Sequence, residues 1–187
     1  MVHTMPYTLE ELAIVLGKLI DYGIDFVIIG DTVIQLALKK KELIGDIDLF
    51  VIKPSVIVDE QVFIDIAEKE KWLYTTTEAG TPKLIARVND KEIPIELYEN
   101  IFDIYIPEEI ISSAKSINVK GRKIRIIKPE EYLVLKAKQG IDIDKLTNYT
   151  KNLKYIDRKL LIKTINLMPD EERKVIIHRL KEAGLTF

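Results

Sequence analysis

The segment GDIDLFVI, residues 45–52, constrains the fold more than any other part of the chain. Its second half, LFVI, has almost no polar face and is typical of a buried strand. Its first half carries Asp46 and Asp48, which point to the same side of a strand, with Cα atoms about 6.5–7 Å apart. Two negative charges beside an apolar strand are costly unless a positive charge neutralises them. We therefore expect a cation at this end of the strand.

A hard divalent cation, Mg²⁺ or Mn²⁺, is the partner that these carboxylates suit best. Mg²⁺ takes one or two carboxylates and completes its shell with water and substrate phosphate oxygens. A third acid from a neighbouring strand would complete a two-metal site, and Glu96 in the apolar run PIELY is the candidate. The alternative is an exposed strand edge whose acids discourage pairing with another chain.

Gly30 separates an apolar run, VIIG, from a segment that we interpret as a helix, DTVIQLALKKK. A glycine at that position lets the backbone turn sharply and lets a phosphate approach the amides of the helix N-terminus. A single glycine after a strand is also compatible with an ordinary turn. It gains significance here because the next strand carries the paired aspartates.

The spacing of apolar residues predicts the element order α-β-α-β-α-β-β, then a second hairpin and a helical tail. Thr8 and Glu11 predict a capping box at the start of the first helix. The runs PKLIARV and EIPIELY, joined by NDKE, predict a hairpin. The fold class expected is α/β (α+β), with a mixed sheet flanked by helices. We expect residues 1–128 to form the core and residues 129–187 to form a helical segment packed on it.

Composition and charge narrow the class of protein further. The 187 residues are 47% hydrophobic and 31% charged, as in a globular domain, and contain no cysteine. No apolar run approaches the ~20 residues of a membrane span, and no signal-peptide pattern is present, so we expect a cytoplasmic protein. Abundant Ile, Lys and Glu suggest a thermophilic source. Residues 115–163 hold 14 basic and 5 acidic side chains, which suits a phosphate-rich partner or simply solvated helices.

Three classes of hydrolase fit the sequence poorly. An Asp-x-Asp phosphatase of the haloacid dehalogenase type needs Thr or Val where Phe50 stands, and a restriction-type nuclease needs a lysine that ELYE lacks. A serine hydrolase is disfavoured because the two histidines, His3 and His178, occupy a tail and the last helix.

Taken together, FVIIG, a helix, DIDLFV and the later acid in IPIELY resemble the nucleotidyltransferase superfamily of the DNA polymerase beta type. The similarity covers about residues 24–98 and is greatest to the minimal nucleotidyltransferases, including toxins of AbiEii-like toxin–antitoxin systems. The resemblance implies an enzyme that transfers a nucleoside monophosphate from an NTP to a hydroxyl of RNA such as tRNA, a protein or a small molecule. A toxin role would also imply an antitoxin partner.

The same resemblance implies roles for individual residues. Asp46, Asp48 and Glu96 are similar to the catalytic, metal-binding acids of the family.

The residues that correspond to the nucleotide site are Gly30, Asp31 and Thr32 after the strand, with Lys136 and Lys138 of the helical segment for the phosphates. Asp31 departs from the family, which has Gly or Ser there, and its charge would oppose a triphosphate. This departure supports an alternative hypothesis, namely a catalytically impaired member that binds a nucleotide or a partner.

Overall fold

A computed structural model describes residues 5–101 and 104–186 of the chain. Over these residues the chain forms nine strands and eight helices. The strands are β1 Tyr7–Thr8, β2 Asp25–Ile28, β3 Glu42–Leu43, β4 Ile47–Lys53, β5 Leu73–Thr76, β6 Pro82–Val88, β7 Lys91–Tyr98, β8 Lys115–Val119 and β9 Arg122–Ile126. The helices are α1 Leu9–Asp21, α2 Asp31–Ala37, α3 Glu60–Glu70, α4 Glu108–Ser112, α5 Pro129–Gln139, α6 Ile143–Asn152, α7 Arg158–Asn166 and α8 Asp170–Glu182.

Seven strands form one mixed sheet in the order β5-β6-β7-β4-β2-β9-β8, and β1 pairs separately with β3. The central strand β4 runs parallel to β7 and antiparallel to β2. Strand β2 is also parallel to β9, while β5–β6, β6–β7 and β8–β9 are antiparallel pairs. The predicted fold class, a mixed sheet flanked by helices, is confirmed.

Helix α1 begins as its sequence predicts. Thr8 accepts a hydrogen bond from the Glu11 backbone N–H (3.2 Å), and the Glu11 carboxylate accepts one from the Thr8 backbone N–H (2.7 Å). The reciprocal pair satisfies two of the donors that a helix start leaves free. The buried face, which includes Leu12, Leu16 and Leu19, packs toward the sheet strands β6, β8 and β9.

The centre of the sheet has two chemically different faces. In β4, Ile47, Leu49 and Val51 are buried, and in β7 the neighbouring Ile95 is buried with them. Because side chains alternate along a strand, the residues between these positions point to the opposite face. Asp48 is one of them and is only partly buried. Asp48 therefore lies on the face of β4 opposite Ile47 and Leu49, and the same face becomes buried again at Phe50.

Several elements differ from the sequence predictions, among them the short strands β1 and β3, which were not predicted. Helix α2 ends at Ala37 rather than continuing through the lysines, because Lys39 adopts a left-handed conformation (φ 55°) that ends the helix. Strand β4 begins at Ile47, so Asp46 lies in the preceding turn. Strand β5 was not predicted, because it is a mostly exposed edge strand without alternating burial.

The C-terminal helices pack around α5, which contacts α6, α7 and α8 and also touches α2 of the preceding part of the chain. The expected division between residues 128 and 129 stays a prediction. Among the described helices, none combines the length and the apolar character that crossing a bilayer requires.

Candidate active site

The turn between β2 and α2 is built around Gly30. Gly30 has φ 71° and ψ −166°, a conformation that an L side chain rarely adopts. A Cβ at this position would lie 1.8 Å from Oδ2 of Asp48, which is an impossible contact. Glycine is therefore required here for two reasons, the backbone conformation and the space that the Asp48 carboxylate occupies.

The three predicted acids come together through strand pairing. In the parallel β4–β7 ladder, Asp48 is the direct neighbour of Glu96. Asp46 precedes β4 and lies close enough to share a cationic partner with Glu96. The side chains of Asp46 and Glu96 are 30% and 18% exposed, so water screens their charges only in part.

That cationic partner is Lys83 of strand β6. Its Nζ donates to Asp46 Oδ2 at 2.8 Å and to Glu96 Oε1 at 2.7 Å. Burial opposes the charge on Lys83, but the hydrogen bonds to Asp46 and Glu96 outweigh it and raise the pKa of the lysine. The ammonium is therefore fully charged at neutral pH and balances part of the acidic cluster.

Asp48 is the most perturbed carboxyl of the cluster. Burial is the largest cause that raises its pKa well above the usual range, and the charges of Glu96, Asp31 and Asp46 add to it. Lys83 opposes the shift but is hydrogen-bonded to the other two acids of the triad. Asp48 is thus the carboxylate that would gain most from a further cation.

Glu96 has a second hydrogen-bond partner on its own strand. The hydroxyl of Tyr98 donates to Glu96 Oε2, while Lys83 holds Oε1. Burial and this contact with Glu96 raise the pKa of Tyr98, which stays protonated as a donor. Both oxygens of Glu96 are consequently held in place.

Asp31 is held by helices α5 and α6. The Tyr132 hydroxyl donates to Oδ1, and Lys145 Nζ donates to Oδ2 at 3.2 Å. Burial would raise the pKa of Asp31, but the hydroxyls of Tyr132 and Tyr149 and the charge of Lys145 outweigh burial and lower it. The negative charge that replaces the family's Gly or Ser is therefore paired inside the protein.

Apart from Tyr149, these side chains open onto one cavity of about 980 Å³, near the upper end of the range for small-molecule sites. Its lining includes the acids and also the predicted Gly30, Lys136 and Lys138. Thr32 is different, because it is fully buried in α2 and does not line the cavity. Within the described residues its Oγ1 has no hydrogen-bond partner.

The acidic cluster matches a divalent cation in chemistry but is not arranged as a finished metal site. Carboxylate oxygens are the ligands that Mg²⁺ prefers. In residues 5–101 and 104–186, however, no three acidic or histidine side chains are grouped as metal ligands. The position between Asp46 and Glu96 holds the ammonium of Lys83 instead. Asp46, Asp48 and Glu96 are the residues that would bind a metal after Lys83 moves away.

Sequence reasoning missed Lys83, although a signal for it exists. The β6–β7 turn consists of two residues, Asn89 and Asp90, both with positive φ (50° and 61°), as a tight hairpin requires. Counting back from this turn pairs Lys83 with Glu96, which is the observed register. Tyr98 could be found by the same alternation, whereas the contacts of Lys145 with Asp31 depend on how the helices pack.

A mixed sheet with a glycine turn after one strand, and with acids at the start of the next strand and on its parallel neighbour, defines a nucleotidyltransferase-like protein. The chain belongs to the family described as nucleotidyl transferase of unknown function (DUF2204), whose model matches residues 8–182. None of the curated proteins compared with the chain matches it. The family places the chain among the nucleotidyl transferases.

A solved structure supports the fold. The crystal structure of an antigenic nucleotidyltransferase-like protein from Paracoccidioides brasiliensis has a TM-score of 0.60 and 16% identity, covering 96% of this chain and 91% of that chain. Two others have lower scores and do not bear on the chemistry. The crystal structure of ANT(2")-Ia in complex with adenylyl-2"-tobramycin has a TM-score of 0.46 and 14% identity, covering 95% of this chain and 98% of that chain. The crystal structure of a putative nucleotidyltransferase from Thermotoga maritima has a TM-score of 0.43 and 20% identity, covering 80% of this chain and 95% of that chain.

Proposed function

We propose that the protein is a Mg²⁺-dependent nucleotidyltransferase that moves a nucleoside monophosphate from an NTP to an acceptor hydroxyl. The observation that carries this proposal is the cavity that Asp46, Asp48 and Glu96 line together with Gly30, whose turn packs against Asp48. Membership of a nucleotidyl transferase family supports the reaction class.

In the proposed reaction, the acceptor oxygen attacks the α-phosphorus and forms a new P–O bond. The bond from that phosphorus to the bridging oxygen of the β-phosphate breaks, and pyrophosphate leaves. Glu96, one of whose oxygens accepts a hydrogen bond from Tyr98, takes the proton of the acceptor hydroxyl. Bound Mg²⁺, held by the three acids, would supply charge neutralisation for the phosphates. The protein contributes mainly position and electrostatics.

The nucleotide would lie between the glycine turn and the helical segment. Gly30 lets the phosphates approach the start of α2, and Lys136 and Lys138 face the same cavity from α5. Lys136 is paired with Asp142 at 3.5 Å and Lys138 with Glu172 at 3.4 Å, so neither lysine is in its final position for a phosphate. Asp31 borders the phosphate site with its charge balanced by Lys145.

Transfer of label tests the reaction. The protein is incubated with Mg²⁺, each α-³²P-labelled NTP in turn, total RNA and cell lysate. We expect label on an acceptor with the wild type and none with Asp48→Asn, since the variant loses a proposed metal ligand. Arg87→Met is a matched control, because Arg87 is an exposed residue of β6 outside the cavity. Equal labelling by the wild type and Asp48→Asn would refute the proposal.

For the acceptor, we propose a polyanion, RNA such as tRNA, with a protein or a small molecule as the alternatives. The excess of basic residues over 115–163 supports this choice. We also propose a role as the toxin of a toxin–antitoxin pair, with an antitoxin partner, and the resemblance of the sequence to AbiEii-like proteins supports it. Induced expression in a bacterial host tests it. Growth should stop with the wild type and continue with Asp48→Asn.

A second candidate is a family member that binds a nucleotide or a partner without catalysis. The observation that favours it is the ammonium of Lys83 in the metal position, because Lys145 balances the charge of Asp31 beside the phosphate site. Calorimetry with ATP separates the two candidates. An enzyme should bind ATP only with Mg²⁺, whereas a binding module should bind ATP equally in EDTA.

A further inference from the structure

Lys83 occupies the place where the acidic cluster most needs positive charge. It lies directly opposite Glu96 in the antiparallel β6–β7 pair, and its ammonium joins Glu96 to Asp46. The Nζ atom of Lys83 on β6 thus links strand β7 to the turn before β4. The lysine side chain is 22% exposed, so it is anchored in the cavity wall and still borders open space.

One position between two carboxylates cannot hold an ammonium and a divalent cation at the same time. The two cations would repel each other, and both would need the same oxygen lone pairs. Lysine differs from arginine in holding a compact charge on a flexible four-carbon stem. Its ammonium can therefore leave Asp46 and Glu96 and swing into the cavity without any movement of strand β6.

We propose that Lys83 is a displaceable counter-cation of the acidic cluster, which stabilises the three carboxylates in the metal-free protein and competes with the divalent cation for them. This inference rests on the proposed function, since it concerns the same site. Lys83 thus lowers the affinity of the free protein for metal. Lys83 also stabilises the folded protein when no metal is bound.

Calorimetric titration with Mn²⁺ alone, without nucleotide, tests the competition directly. Lys83→Met removes the charge and keeps a similar length, so we expect it to bind Mn²⁺ at least tenfold more tightly than the wild type. Arg87→Met, on the same strand and outside the cavity, should bind as the wild type does. Lys83→Arg keeps a positive charge in a form that binds two carboxylates more rigidly than lysine does. This variant should bind Mn²⁺ more weakly than the wild type.

Thermal unfolding gives a second measurement. In EDTA, Lys83→Met should melt at a lower temperature than the wild type, and Mn²⁺ should raise its Tm by more than it raises that of the wild type. If Lys83→Met does not fold, the weaker Mn²⁺ binding of Lys83→Arg alone carries the test.

The outcomes distinguish this inference from the proposed function. Equal or weaker Mn²⁺ binding by Lys83→Met, with binding abolished in Asp48→Asn, overturns the inference and leaves the enzyme proposal standing. If neither the wild type nor Lys83→Met binds Mn²⁺, the inference is overturned, and the labelling assay decides the proposed function separately. If Lys83→Met binds Mn²⁺ more tightly than the wild type, and the double variant with Asp48→Asn does not bind it, both the inference and the proposed function are supported.

Discussion

The carboxylate of Asp48 fills the space that a side chain at position 30 would occupy. The virtual Cβ of Gly30 lies 1.8 Å from Asp48 Oδ2 and 2.7 Å from its Cβ. The glycine turn and the aspartate strand, which are separated in sequence by helix α2, therefore form a single unit. The backbone N–H of Ile29 strengthens it by donating to the carbonyl of Asp48 at 2.9 Å. A change at either residue alters the other.

Gly30→Ala should lower the free energy of unfolding by about 2–4 kcal/mol, because the strain of a positive φ adds to a collision with Asp48. Gly23→Ala is the matched control, since Gly23 also has a positive φ (82°) but nothing lies within 4 Å of its virtual Cβ. We expect it to cost only about 1 kcal/mol. Urea unfolding checks both values, and equal losses would show that the contact with Asp48 is unimportant.

Asp48→Asn should stabilise the metal-free protein although it removes the proposed activity. The ammonium of Lys83 is hydrogen-bonded to Asp46 and Glu96, so neutralising Asp48 beside them relieves repulsion worth about 1 kcal/mol. Unfolding in EDTA at pH 7.5 measures this gain. Adding Mg²⁺ should stabilise the wild type and leave the variant unchanged. A variant that is less stable than the wild type in EDTA would mean that Asp48 has a cationic partner other than metal.

Tyr132→Phe should raise the pKa of Asp31 toward its ordinary value, because the variant removes a hydroxyl that donates to the carboxylate. It should also cost about 1.5–3 kcal/mol of stability, as expected for a hydrogen bond to a charged group. The pKa is measured by NMR titration of the carboxyl carbon. Tyr155→Phe, at a tyrosine that is 76% exposed, is the control and should change neither quantity.

Glu11→Gln should cost about 1–3 kcal/mol at pH 7, because Glu11 is buried and accepts hydrogen bonds from Lys91 and the Thr8 backbone. Burial opposes its charge, but these bonds outweigh burial and lower its pKa. The stabilisation is therefore present above the ordinary carboxyl pKa of about 4.3 and is lost as pH falls through the lower folded value.

Measuring the unfolding of wild type and Glu11→Gln from pH 3 to pH 7 checks this prediction, and the difference should shrink toward pH 3. The neighbouring Glu10→Gln provides the comparison. Glu10 pairs with Lys120 at an exposed position, and such pairs contribute little, so no change in stability is expected. A constant difference for Glu11→Gln across the pH range would show that its ionisation does not stabilise the fold.

Several features of the protein follow from the sequence because they depend on neighbours along the chain. Thr8 and Glu11 are three residues apart, so they form a capping box as soon as a helix begins between them. Gly30 ends one strand and begins a helix because its own backbone freedom permits the turn. The main helices and the core strands were predictable for the same reason, whereas β1, β3 and β5 were not, and Asp46 lies before β4 rather than in it.

Tertiary structure alone decided which charges meet. Asp31 and Tyr132 are 101 residues apart, and their contact depends on the packing of α2 against α5. The sequence suggested that Asp31 would oppose a phosphate, but it could not show that Lys145 neutralises it. Thr32 likewise is buried in the protein interior and does not line the cavity, because the elements packed against α2 determine which face of the helix is buried. Local patterns determine which elements form, and long-range packing determines which side chains share a site.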